Sequence, residues 1–252
     1  MSGAERIWHA LGIPDAALVD RRVPKARLVE GAELTPADRR LVEAGVERID
    51  WRATLRPQST AIPASADPPV AEIVVLLAQL RPRAGGRLPE ILHRAVTAPL
   101  LLILNAEEGG RLSVGLKRAH EREAGRLVLG DLVTSPPVSS DETVDSPTGS
   151  FLQSLALARL PAPDLATALV ALRVRVEAFA AAREAGDFRL PRDEAEAEAR
   201  RAALARVAAD RAALEKLRRA ARGEKSVARR VALSHQVGTA EEALRRTLAA
   251  LS

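Results

Sequence analysis

The chain has 252 residues, 47% of them apolar, and a formal net charge of +5. That length allows one medium domain with an appendage, or two small domains, with enough apolar residues to bury a core. Aromatic residues make up 2% of the chain, so the core has to be built from Leu, Val, Ile and Ala, and the absence of cysteine excludes disulfides, thiolate zinc sites and a cysteine nucleophile.

The amino-terminal stretch MSGAERIWHALGIPDAALVD is mixed in charge and lacks an apolar h-region, so it does not read as a signal peptide. The longest apolar run, near Val96 to Leu104, falls far short of the ~20 residues that span a bilayer. A cytoplasmic protein without membrane association is expected. The excess charge sits at one end. Arg192 to Ser252 holds 14 Lys and Arg against 9 Asp and Glu, while the preceding part holds 24 of each. Arginine far outnumbers lysine and alanine is abundant, as GC-rich coding also produces, so arginine content alone is weak evidence for nucleic acid.

Residues 1–20 read as a short helical segment. Val23-Pro24 favours extended backbone. Thr35 is placed as an N-cap, with Pro36 at the first helical position and Asp38 three residues after the cap. Leu41, Val42, Gly45, Val46 and Ile49 then recur at helical spacing, which predicts a helix ending near Asp50 or Trp51. Pro57 to Pro69 reads as a loop. Glu72 to Arg81 is a continuous apolar run of strand length, the pattern of a strand buried on both faces. Arg81 to Gly86 is a turn, Leu88 to Val96 a short helix stopped by Pro99, and Leu100 to Leu104 a second strand. After a hairpin loop at Asn105 to Gly110, Arg111 to Lys117 alternates with period two, placing Leu112, Val114 and Leu116 on one side. Arg126 to Val133 is a fourth strand.

Pro136 to Gly149 is acidic and rich in Ser, Pro and Thr, and reads as a mobile linker. Beyond it the pattern is helical. Phe151 to Leu160 forms one short helix. Pro163-Asp164 opens another, with Leu165, Leu169, Leu172, Val176 and Phe179 as its buried stripe and Gly186 as its C′ residue. A last long helical region starts at Pro191-Arg192-Asp193. The expected fold class is α+β: a small mixed α/β domain of about four strands, followed by an all-helical, coiled-coil-like C-terminal region. The expected division is 1–20 helical, 21–135 α/β, 136–150 linker and 151–252 helical.

Catalytic chemistry is poorly supported. A nuclease site would need several converging oxygens around a divalent metal. Glu72, Asp131 and Lys117 are the residues on strand candidates that could serve a degenerate version, and strand-end charges facing water are the simpler account. His9, His93, His120 and His235 are scattered and form no metal-ligand pair, and His93 fits a helix-surface histidine. Gly85-Gly86 and Gly109-Gly110 lack the following Lys-Ser/Thr or the strand–glycine–helix order of a phosphate loop. Trp8, Trp51, Phe151, Phe179 and Phe188 are too few for a base-stacking platform. No catalytic residue, metal or cofactor is assigned.

Lys216, Arg218, Arg219, Arg222, Lys225, Arg229 and Arg230 form a basic stretch opposed by Glu224 alone. Leu204, Val207, Leu214, Leu217, Ala221, Val227, Val231, Val237, Leu244, Leu248 and Leu251 run through it as a flawed heptad seam. Such a stripe needs a second helix: its own chain folded back near Gly223, a twin chain, or another protein. The cations flank the seam as a solvated face, displace counterions from a DNA backbone, or meet a specific protein. Arg218, Arg219, Arg222, Lys225, Arg229 and Arg230 are the candidate contact residues for nucleic acid or a partner.

Five blocks, in this order and spacing, carry a resemblance. They are Val23 to Lys25, Leu34 to Trp51, Ile91 to Leu104, Leu112 to Arg118 and Glu224 to Ser234. Together they resemble the prokaryotic family catalogued as domain of unknown function 4391, across nearly the whole chain. The resemblance implies an α/β domain followed by coiled-coil-like helices, and genes often placed beside SNF2-type helicases and DNA methyltransferases in restriction-like or phage-defence islands. It brings no established catalytic residues. The family shows Gln, Asn and Glu where this chain has Ser226, Ala228 and Ala232, and a Pro-aromatic step where this chain has Thr97-Ala98-Pro99. The expected role is a non-catalytic accessory subunit that binds an SNF2-type helicase or another defence-system protein, with DNA as a further partner. The alternatives are a degenerate nuclease and a homodimeric coiled-coil adaptor.

Overall fold

The structure is a computed structural model and describes residues 1–30, 32, 34–66, 69–119, 127–143, 145–249 and 251. The chain divides into two compact units, Met1–Phe179 and Ala180–Ser252, later in the sequence than the linker expected at 136–150.

Eight strands lie in the first unit. They are β1 (Leu18–Arg22), β2 (Val46–Leu55), β3 (Ser65–Ala66), β4 (Pro69–Val70), β5 (Ile73–Leu80), β6 (Leu100–Ala106), β7 (Gly109–Ala119) and β8 (Leu127–Thr134). Six of them form a mixed sheet ordered β1-β2-β5-β6-β7-β8, and the short β3 and β4 pair separately within the expected loop. The four strands legible in the sequence are present, and β1 and β2 extend the sheet. Arg126 and His120 lie outside the described residues.

β5 and β6 pair in parallel and are joined by helix α5 (Leu88–Ala95), while the other neighbours are antiparallel. This crossover unit is the centre of the sheet. Leu100 to Leu104 are all buried, as a strand covered on both faces requires. One face carries Leu76, Ala78, Leu100, Leu102 and Leu104 against Leu88, Ile91 and Leu92 of α5 and Val42 of α3 (Pro36–Gly45). Burying one such side chain is worth about 1.5–3 kcal/mol, so this layer dominates the stability of the unit. Two shorter helices flank β2 in sequence, α2 (Lys25–Glu30) ahead of α3 and α4 (Pro57–Thr60) after the strand.

The helix expected from the Thr35 cap to near Asp50 or Trp51 is present in its first part and corrected in its second. α3 ends at Gly45, and Val46 starts β2. The register of β2 against β5 shifts between Val46 and Arg48 and again between Trp51 and Ala53. A bulge inserts an extra residue and breaks the period of two. Val46 and Ile49, three apart, are therefore both buried and imitate a helical stripe.

Helix α1 (Gly3–Leu11) begins with a capping box, Ser2 accepting from the Glu5 amide and Glu5 from the Ser2 amide. It packs on β7 so closely that a Cβ on Gly110 would lie 2.1 Å from the Ala4 nitrogen. Arg6 of α1 donates to the carbonyls of Ser139 and Glu142 at 2.6 and 2.8 Å, and Val138 pairs with Gly110. These contacts tie the Ser/Pro-rich segment to the sheet. Helix α6 (Pro147–Ser154) follows, opened by the Ser146 cap. The expected stripe of α7 (Leu165–Ala185) is observed: Leu165, Leu169, Leu172, Val176 and Phe179 are all buried. Phe151 and Phe179 stack with centroids 4.3 Å apart, a pair worth about 0.5–1.5 kcal/mol beyond its area.

The second unit is helical. α8 (Glu194–Gly223) starts at the Asp193 cap, which accepts from the Glu196 amide at 2.8 Å, and α9 (Val227–Ala249) follows. The long helical region is thus a hairpin broken at Glu224-Lys225-Ser226. Val207 and Leu251 are buried with Ala181, and Leu204, Leu244 and Leu248 pack against them.

Candidate interaction surface

Glu72, Asp131 and Lys117, the set named for a degenerate nuclease, do not converge. Glu72 precedes β5 and pairs with Arg56 at 2.6 Å. Asp131 lies on β8 and pairs with Arg173 at 3.6 Å. β5 and β8 are three strand positions apart, about 14 Å at the usual spacing. Lys117 of β7 donates to the carbonyls of His93 and Val96 at 2.7 and 2.6 Å. It caps the C-terminal end of α5, where a cation suits the helix dipole. Burial lowers its pKa from 10.5 to about 8. Among the described residues, no group of three His, Cys, Asp or Glu side chains is placed to hold a metal ion.

His93 is not a surface histidine. It is fully buried under α5, with Nε2 3.1 Å from Ser113 Oγ, which also accepts from Thr134 Oγ1 at 3.0 Å. Its Nδ1 has no hydrogen-bond partner among the described residues and packs on Gly115, where a Cβ would come within 2.5 Å. Burial first, and the Lys117 ammonium second, lower its pKa from 6.5 to about 3. The imidazole is neutral at physiological pH. His9 and His235 are exposed.

The turn Arg81 to Gly86 stands between a strand and a helix, β5 and α5, as the sequence predicts. Its Arg81 and Arg83 share a cleft of about 350 Å³ with Arg111, Glu107 and Glu108. Beside it, Arg87 and Arg94 approach the buried Asp38 carboxylate at 3.4 and 3.6 Å. The arginines are interleaved with acids, and the loop lacks the Lys-Ser/Thr that grips phosphate.

The basic hairpin has a sharper geometry. Asp210 Oδ2 accepts from Thr247 Oγ1 at 2.9 Å, Leu214 and Leu244 line one groove, and Arg218 pairs with Glu241 at 2.9 Å. Eight residues along α8, Asp210 to Arg218, thus span six residues back along α9, Thr247 to Glu241. Continued at 1.5 Å per residue, this register sets Gly223 opposite about Gln236. The extended Glu224 carries the chain past the end of α8 before α9 begins. The start of α9 then overhangs: every residue from Val227 to Ala232 is exposed, and Leu233 is the first half-buried one.

This register separates the six candidate residues. Arg218 is committed internally, to Glu241 and to Glu215 at 3.0 Å. Arg219 lies along α8 with Nε 3.4 Å from the Glu215 carbonyl. Arg222, Lys225, Arg229 and Arg230 are exposed, and among the described residues no carboxylate pairs with them. Val227 and Val231 were expected to seal the seam, but they are 65% and 54% exposed, because they lie about 120° around α9 from the side that Glu241, Leu244 and Thr247 turn towards α8. The basic end thus presents four cations and two valines.

A family model described as Domain of unknown function (DUF4391) matches residues 11–244. The chain belongs to the DUF4391 family. No curated protein and no solved structure matches it. Among the described residues of this DUF4391 chain, no helix is long and apolar enough to cross a membrane.

Proposed function

We propose that this DUF4391 protein is a non-catalytic accessory subunit of a helicase-associated DNA-processing or phage-defence system, working in the cytoplasm. The basic end of the α8–α9 hairpin is its contact surface. The observation that carries the reading is the set Arg222, Lys225, Arg229 and Arg230, exposed beside Val227 and Val231. Uncompensated cations next to exposed aliphatic side chains suit an acidic protein surface with apolar ground. The role among helicases and methyltransferases rests on the gene neighbourhood that the family resemblance implies.

The test is co-expression of the full chain with an SNF2-type helicase from the same genome, followed by sedimentation. The wild type is expected to co-sediment, and R222E/K225E/R229E/R230E is expected not to. A complex indifferent to that reversal contradicts the surface, and no complex at all contradicts the accessory role. A second reading, binding to the DNA backbone, is favoured by the same four cations. It predicts salt-dependent duplex binding whose log–log slope flattens by about 0.9 for each phosphate that a substitution leaves without its cation.

A further inference from the structure

α9 begins against its own electrostatics. Its first turn holds Arg229 and Arg230 and no acid, and Lys225 lies just before it. The start of a helix carries the positive end of the dipole, where cations are unfavourable and anions welcome. The α8 terminus, by contrast, carries Arg222 at its negative end, where a cation belongs. The overhang also lacks packing. Most helical stability in proteins comes from burying one face, and every residue from Val227 to Ala232 is exposed. A segment at odds with both dipole and burial is where local rules yield to function.

We propose that the α9 overhang is the seat of an acidic amphipathic helix from another protein. That helix lays its apolar stripe over Val227 and Val231 and its carboxylates against Arg230, which borders that stripe, while Arg229, two residues from each valine, lies on the far side of α9. The proposal rests on the accessory-subunit reading and specifies its partner. Charge complementarity selects the occupant. A second copy meeting the first at this end would oppose Arg222, Lys225, Arg229 and Arg230 with their own duplicates, against Glu224 alone. A DNA backbone would satisfy the cations and leave both valines in water. An acidic helix with an apolar face covers both and supplies the negative charge that the start of α9 lacks.

The probe is a synthetic peptide of Leu/Glu heptads, Leu at a and d and Glu elsewhere, added to the full-length protein. A Leu/Lys twin and a random-sequence DNA duplex serve as controls. The Leu/Glu peptide is expected to bind, to gain helicity, and to slow hydrogen exchange at the amides of Val231 to His235. V227S/V231S keeps every charge and should weaken binding about tenfold or more, with the thermal melt of the free protein retained. R229E/R230E should weaken it comparably, and the Leu/Lys twin should not bind. If R229E/R230E abolishes binding while V227S/V231S leaves it intact, the helix seat is wrong and the charged contact surface stands. Protection that rises with protein concentration alone assigns the overhang to a second copy and overturns the proposal. Protection by the duplex, unaffected by V227S/V231S, assigns it to nucleic acid with the same consequence. If neither peptide nor duplex binds, the contact surface falls as well.

Discussion

Thr247 donates to Asp210 across the hairpin at 2.9 Å, and this one short bond between two short side chains fixes how far α9 reaches past α8. Arg218 and Glu241 bridge the hairpin further up, two residues off the register that the short pair sets. Long side chains can bridge a shifted pair of helices, whereas Thr and Asp cannot. The exposure of Val227 and Val231 follows from their position about 120° around α9 from Glu241, Leu244 and Thr247, on a side that stays exposed at Ser234, Glu242 and Arg245.

Asp210→Ala removes the acceptor and leaves Thr247 bonded to its own helix at the Ala243 carbonyl. The loss is expected to be about 0.5–1.5 kcal/mol, the usual net value of an intramolecular hydrogen bond. A urea titration followed by circular dichroism reads it, and an unchanged midpoint would place the register elsewhere.

Arg229→Glu and Arg230→Glu should each stabilise the free protein by roughly 0.3–1 kcal/mol at low salt, because acids suit the first turn of a helix. The same changes are expected to impair partner binding. Stability and binding therefore move in opposite directions, as they do where a site departs from its stability optimum. Thermal melts at low and high salt test this, since the gain should shrink as salt screens the dipole.

Gly115→Ala should destabilise by about 1–3 kcal/mol, because the new methyl meets His93 Nδ1 at 2.5 Å and Leu129 Cδ1 at 2.8 Å. Combined with His93→Ala, the penalty should be less than additive, since the smaller side chain vacates the collision. Additive losses in a double-mutant cycle would separate the two residues.

His93 makes stability depend on pH in a defined direction. Its folded pKa, about 3, lies below its ordinary value of 6.5. Between those values the unfolded chain binds more protons, so stability is retained above pH 6.5 and lost as pH falls towards 3. Lys117 is the charged neighbour that reinforces burial in holding the imidazole neutral. His93→Gln removes the titrating ring and should reduce the acid-side slope relative to wild type in matched denaturant titrations. Identical slopes would mean that His93 is accessible to protons in the folded state. Lys117 acts at the other end of the scale. Its pKa is lowered from 10.5 to about 8, so wild type should gain stability relative to Lys117→Met as pH rises through that interval.

Much of the first unit is legible from local pattern. β5 and β6 are continuous apolar runs of strand length, and the stripe from Leu165 to Phe179 lies on one side of α7, as its period requires. β2 is illegible because two bulges reset its period, so Val46 and Ile49 present a helical spacing. β1 is illegible because it is short and almost wholly exposed, which leaves it without alternation. His93 escapes because its neighbours, Ser113 and Gly115, are on β7, and only the folded sheet brings that strand under α5. Their small size opposite Leu112 and Val114 was the available signal. At the contact surface, the cations and the apolar stripe are visible in the sequence. The division between Arg218, paired across the hairpin, and Arg222, Lys225, Arg229 and Arg230, left exposed, depends on register, which no local pattern encodes.

Residue-resolved hydrogen exchange on the free full-length protein tests the overhang most directly. The amides of Val231 to His235, bonded to carbonyls of the exposed turns, should exchange far faster than those of Glu241 to Leu248, which lie against α8. Equal, strong protection along the whole of α9 would show that Val227 and Val231 are already covered, and would contradict the account.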